Sequence, residues 1–233
     1  MAKHLVLLPG MDGTGDLFDD FVAALPQGIG VRVGRYPTHD YLEYRELCAS
    51  VKELTRDLDE FVFVAESFSS LLAIMFAAEN PPNLAALIIC AGFASNPFPV
   101  LGPVLRALAR PWPFRLRPPS VLFDRYIFEA STSASLKDKV RQNLRTVSPE
   151  VLAGRAREIL NCDARKELAQ IKIPMLYLQG ENDRLIKARC FEEIQKIRPD
   201  VQLASISAPH LVLQHQPDKS AEIILKFCSS IEG

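Results

Sequence analysis

Residues 61–78 read FVFVAESFSSLLAIMFAA, two apolar runs parted by a glutamate and three serines. The first run is short and rich in valine and phenylalanine, which predicts a buried strand over 61–65. The second is long enough for a helix over 68–79, stopped by Asn80, Pro81 and Pro82. The whole stretch approaches the length of a membrane span, but Glu66 and the serines interrupt it, so a strand–turn–helix unit is expected instead. Ser67 then falls at the C-terminal end of the strand, immediately before the helix. Such a serine can cap the helix. It can also be a nucleophile on a sharp turn, beside the unpaired N–H groups and positive dipole end of the helix.

The same alternation continues in both directions. Apolar runs at 4–8, 31–35, 84–91, 173–179 and 201–206 read as further strands, and most lack polar alternation, as strands covered on both faces do. Helical spacing appears at 17–25, 42–58, 188–197 and 217–229. Strand then helix, repeated, predicts a mostly parallel sheet of about six strands with right-handed crossovers and helices on both faces. Residues 95–170 break the pattern. Eight prolines fall there, helical patterns recur without a convincing strand, and 13 Lys/Arg stand against 7 Asp/Glu. That stretch is expected to form a helical cap inserted into a core of residues 1–94 and 171–233. Its net +6, against −7 for the remainder, suits either a solvated surface or an anion-attracting lid.

At 233 residues the chain can bury one sizeable core, and 48% hydrophobic with 24% charged residues excludes a disordered chain. A net charge of −1 gives no general pull toward nucleic acid or an anionic membrane. The five cysteines are scattered and form no CxxC pair, which suits reduced thiols in a cytoplasmic protein. MAKHLVLLPG has too short an apolar stretch for a signal peptide, and a strand accounts for it better.

Reactive groups in an open parallel sheet gather outside the carboxyl ends of the strands. Asp183, in LYLQGENDRLI, follows the strand at 173–179, and His210, in ISAPHLVLQ, follows the strand at 201–206. With Ser67 they make up a nucleophile, an orienting acid and a base, all at one sheet edge. Singly, Asp183 also suits a turn residue, and His210 a satisfied interior histidine. His215 competes with His210, and Glu181 with Asp183, while His39 and His4 are less well placed. Ala65 and Ser69 stand in the glycine places of the G-x-S-x-G elbow, and the order Ser67, Asp183, His210 is that of one hydrolase class. Acyl transfer also needs N–H donors for the developing oxyanion. Phe68, just after the serine, and Met11, in the glycine-rich loop LPGMDGTGDLF after the first strand, are the expected donors. That loop lacks the GK[ST] ending and does not fit GxGxxG, and Asp12 and Asp16 would repel a phosphate, so nucleotide binding is not expected.

These residues resemble the α/β-hydrolase superfamily from His4 to the last helix. LPGMDGTGDLF with AESFSS is similar to a group of small hydrolases carrying an LPGxDGTG loop. Pro9 replaces the loop histidine of many relatives, Ala65 the first elbow glycine, and Ser70 a frequent glycine. The resemblance implies a reduced α/β-hydrolase fold without two leading antiparallel strands. It also implies ester hydrolysis through an acyl-enzyme, a small-molecule acyl ester as partner, and no cofactor or metal. An acyltransferase or thioesterase on the same fold and a non-catalytic binding protein remain the alternatives. Dehalogenases and epoxide hydrolases of this fold normally use an aspartate nucleophile, against which Ser67 argues. The insertion leaves the sheet at the edge where Ser67 lies, so Trp112 and Phe123, with Leu101, Leu105, Phe114 and Phe128, are available to line an acyl pocket or simply to join cap helices.

Overall fold

The computed structural model describes residues 4–116 and 120–231, apart from the side chains of 116 and 120–123. Six strands form one sheet: β1 (His4–Leu8), β2 (Gly30–Val33), β3 (Phe61–Glu66), β4 (Leu84–Cys90), β5 (Met175–Gly180) and β6 (Gln202–Ile206). Their order is β2-β1-β3-β4-β5-β6, and every neighbouring pair is parallel. The expected "mostly parallel" sheet is therefore wholly parallel. Alternation along β1 and β3 divides the core. Val6, Leu8, Phe61, Phe63 and Ala65 face one apolar cluster, and Leu5, Leu7, Val62 and Val64 face the other.

Helices α2 (Tyr44–Thr55), α3 (Ser69–Ala78) and α10 (Ala188–Ile197) cover the first face. Helices α1 (Asp19–Ala23), α11 (Val212–His215) and α12 (Pro217–Ser230) cover the second. Burial on both faces is why the strands read as unbroken apolar runs.

One local expectation is revised. The single helix over 17–25 is a 3-10 turn at Asp16–Phe18 followed by the short α1. His215 ends α11, and Pro217, which has no N–H to donate, starts α12 afresh.

Among the described residues, six helices run between β4 and β5: α4 (Gly102–Leu108), α5 (Pro111–Leu116), α6 (Ser120–Ile127), α7 (Ala134–Thr146), α8 (Pro149–Asn161) and α9 (Arg165–Leu168). The ends of this stretch are tied by an antiparallel bridge of Ser95 with Asp163 and by Ala164 N–H donating to Ala94 O at 2.8 Å. The chain goes from β1 to β2 on one side and from β3 onward on the other. The strand order therefore reverses between β1 and β3, and a crevice opens beyond their carboxyl ends. Leu8 pairs with Ala65 there, which sets the loop after β1 beside Ser67.

Candidate active site

Ser67 sits where β3 must turn directly into α3, and its φ of 47° lies in the left-handed region that non-glycine residues rarely occupy. Neighbouring hydrogen bonds hold it there. Its N–H donates to Cys90 O at 2.9 Å, and its carbonyl accepts Ser70 N–H at 3.0 Å and the Ser70 hydroxyl at 2.6 Å. The Ser70 hydroxyl also accepts Phe93 N–H at 3.0 Å. Gly92 leaves room for it, since a Cβ at that position would lie 2.6 Å from Ser70 Cβ.

His210 Nε2 lies 3.0 Å from Ser67 Oγ, and its Nδ1 lies 2.8 Å from Asp183 Oδ2. The other Asp183 oxygen accepts Leu185 N–H at 2.8 Å and Ile186 N–H at 2.9 Å, which fixes the carboxylate in its turn. Ser67 is 8% exposed and His210 4%. Burial of His210 disfavours its charged form. The charge and hydrogen bond of Asp183, aided by the charge of Glu66, outweigh that and raise its pKa above 6.5.

The competing residues lie elsewhere. His215 Nε2 is 3.3 Å from Glu129 and 3.4 Å from Ser131 Oγ. Glu181 and His39 are exposed, and His4 opens β1 at the far end of the sheet.

The loop after β1 is a tight turn in which Gly13 N–H donates to Gly10 O at 3.1 Å. Asp12 Oδ1 accepts both the N–H, at 2.9 Å, and the hydroxyl of Thr14. Asn143, on α7, donates to Thr14 Oγ1 at 3.0 Å. Among the described residues, neither Met11 N–H nor Phe68 N–H donates a hydrogen bond within the protein. The Phe68 ring stacks on Tyr44 at 4.7 Å, and Tyr44 OH donates to Phe68 O at 2.9 Å.

Beside this constellation lies an apolar cluster of Leu17, Ile127, Phe128, Val140 and Leu211, with Leu185 packed on it. Leu211 follows His210 and Leu185 lies two residues after Asp183, so Phe128 shares a cluster with close sequence neighbours of both. Trp112 is 53% exposed on α5, which packs against α8, and its outward face removes it from an enclosed pocket. The side chain of Phe123 lies outside the described residues.

Two charged residues escaped sequence reasoning. Glu66, directly before Ser67, is buried, and Gln214 Nε2 donates to its Oε2 at 2.8 Å. Burial pushes its carboxyl up to about 7. Arg155 is buried beneath the β1 loop. A signal for Arg155 existed: with Val151 and Leu152 it occupies the inward face of α8 at helical spacing, an unusual place for a cation. Among the described residues no group of three or more His, Cys, Asp or Glu side chains could hold a metal, and no helix is long and apolar enough to cross a membrane.

Fold and sequence together place the chain in a class. Residues 5–223 match the model of the alpha/beta hydrolase family, and the protein belongs to that family. It is 24% identical over 237 residues to the Yersinia enterocolitica protein named "Putative carbamate hydrolase RutD", spanning 88% of this chain and 80% of that one. Among solved structures, an esterase from Exiguobacterium antarcticum superposes with a TM-score of 0.83 at 15% identity, covering 100% of this chain and 94% of the other. The enol-lactonase from Burkholderia xenovorans LB400 superposes with a TM-score of 0.80 at 19% identity, covering 98% and 92%. At such identities these structures share the fold.

Proposed function

We propose that this hydrolase cleaves carboxylic esters of small molecules by a Ser67–His210–Asp183 triad and an acyl-enzyme intermediate. The observation that carries this reading is the continuous relay of 3.0 Å from Ser67 Oγ to His210 Nε2 and 2.8 Å from His210 Nδ1 to Asp183. Ser67 Oγ attacks the ester carbonyl while His210 Nε2 takes the hydroxyl proton. Asp183 accepts from Nδ1–H, which keeps the Nε2 lone pair toward Ser67 and stabilises the imidazolium that forms. The N–H groups of Met11 and Phe68 receive the oxyanion. His210 then gives its proton to the departing alcohol, deprotonates a water that attacks the acyl-enzyme, and returns that proton to Ser67. The inserted helices roof the site and offer Phe128 and its neighbours to the acyl chain.

The test is labelling by a fluorophosphonate together with turnover of nitrophenyl esters of increasing acyl length. Wild type is expected to label at Ser67 and to hydrolyse at least the short esters. Ser67→Ala should do neither, and His210→Ala should lose turnover by orders of magnitude while remaining folded. An unlabelled, inactive wild type, or a His210→Ala variant with near-wild-type turnover, would overturn the reading.

A further inference from the structure

Arg155 is 2% exposed, yet among the described residues it makes no salt bridge to a carboxylate. Its guanidinium is spent on carbonyls. Nη1 donates to Met11 O at 2.9 Å and to Asp12 O at 2.8 Å, and Nη2 donates to Pro37 O at 2.9 Å. The same group lies 5.8 Å from the ring centroid of Phe68 and 5.7 Å from that of Tyr36. Gly13, with φ 71°, makes the space, because a Cβ there would stand 2.6 Å from Nη1. A single side chain from the inserted helices thus touches both Met11 and Phe68, the residues whose N–H groups are assigned to the oxyanion.

The geometry of the β1 loop gives this contact a consequence. The peptide before Met11 is oriented by the bond from Gly13 N–H to Gly10 O. That bond draws Gly10 O to the inside of the turn and leaves Met11 N–H directed away from it. The peptide after Met11 is oriented by Arg155 holding Met11 O. With both flanking planes fixed, the N–H vector of Met11 cannot rotate without breaking one of the two bonds. A flat guanidinium, with donors spread over separate nitrogens, suits this task better than a lysine ammonium, whose three donors diverge from a single nitrogen.

We propose that Arg155 is a positioning residue for the oxyanion hole, locking the Met11 peptide from the inserted helices and bracing the Phe68 ring. The proposal rests on the reading of Ser67 as nucleophile with Met11 and Phe68 as donors. Removing one oxyanion donor outright typically costs 10²–10³ in kcat, so loosening one is expected to cost about 10- to 100-fold. An interaction made only in the transition state lowers kcat and leaves KM nearly unchanged.

The experiment compares wild type, Arg155→Lys and Arg155→Met. It uses kcat and KM for nitrophenyl acetate and the affinities of a trifluoromethyl ketone and its matching alcohol. The ketone adds to the serine and places an oxyanion in the hole, whereas the alcohol does not. Both variants should lose kcat by about 10- to 100-fold with KM within about threefold. Ketone affinity should fall in proportion while alcohol affinity holds, and the lysine variant should be the milder. A role in fold stability alone would lower the melting temperature and leave the ratio of ketone to alcohol affinity unchanged, which overturns the proposal. So would a folded variant with kcat within twofold of wild type. If the methionine variant does not fold, the lysine variant, which keeps the charge and most of the volume, carries the test. Failure of wild type to label with a fluorophosphonate would instead strike the underlying reading of Ser67.

Discussion

Glu66→Gln turns the burial of one carboxyl into a measurable pH dependence. Glu66 is 3% exposed, and burial pushes its pKa to about 7, partly opposed by the hydrogen bond from Gln214 and the charge of His210. In the unfolded chain the group titrates near 4.5. Between these values the folded protein keeps a proton that the unfolded chain has released. Stability therefore falls as pH rises from about 4.5 to about 7. At 1.36 kcal/mol per pH unit, the window amounts to up to about 3 kcal/mol. Glutamine is neutral throughout and still offers Gln214 an acceptor, so the variant lacks that slope.

The assay is urea unfolding of both proteins at several pH values from 4.5 to 8, comparing differences so that groups common to both cancel. The variant is expected to gain stability relative to wild type as pH rises, by up to about 3 kcal/mol over the range. The charge of Glu66 also helps to raise His210. The acid limb of the pH profile of kcat/KM, where His210 must lose its proton to act as base, should accordingly move to lower pH in the variant. A stability difference flat to within about 0.5 kcal/mol across the range would refute the argument, since it would mean that Glu66 keeps the pKa of a solvated carboxyl.

Asp183→Asn should fold but present an amide N–H to His210 Nδ1, leaving the proton on Nε2, where it cannot accept from Ser67. The expected loss in kcat is up to ~10⁴, measured with a short nitrophenyl ester, and a loss below about tenfold would show that another group orients the imidazole. Phe128→Ala should shift the preferred acyl length of the nitrophenyl series, while Trp112→Ala, at the surface, should leave it in place. Gly180→Ala would put a Cβ 2.5 Å from Pro209 O and 2.7 Å from Ala208 O, both backbone atoms that cannot swing aside. The loop that carries His210 must then move, so a loss of about 1–3 kcal/mol in stability and a lower kcat/KM are expected together. Unchanged values of both would show that the loop yields without cost.

What could be read from the letters alone divides along physical lines. Strands covered on both faces are continuous apolar runs, so β1, β3, β4 and β5 were legible to within two residues. Ser67, Asp183 and His210 were legible as candidates because a parallel sheet sends every strand end to one edge. Aromatic composition does not say which way a short helix turns its side chains, so Trp112 was an expected pocket residue ahead of Phe128, although Trp112 is exposed and Phe128 is buried beside Leu211. Buried charge was hidden for a different reason. Glu66 and Arg155 are residue types that normally face water. What retains them inside are partners far along the chain, Gln214 for one and the carbonyls of Met11, Asp12 and Pro37 for the other.

The departures from the glycine-rich elbow follow the same logic of distant partners. Ser69 stands where the pattern has its second glycine, and its hydroxyl donates to Pro9 O while lying 2.6 Å from Tyr36 OH. It therefore links the nucleophile's turn to the first residue of the loop that carries Met11. Ser70 likewise spans Ser67 O and the backbone of Phe93 beyond β4, in space that Gly92 leaves open. A glycine at either place would adopt the same backbone and supply no hydroxyl. Each serine thus replaces conformational freedom with a specific bond, and a non-glycine Ser67 at positive φ is held by those bonds on both sides. The consequence is that the elbow is tied directly to the β1 loop. Ser69→Gly, which matches the usual pattern more closely, should loosen this site rather than improve it, with a lower kcat and a destabilisation of about 1 kcal/mol from the lost hydrogen bond. A Ser69→Gly variant equal to or faster than wild type in kcat, at equal stability, would show that the hydroxyl contributes nothing to the coupling.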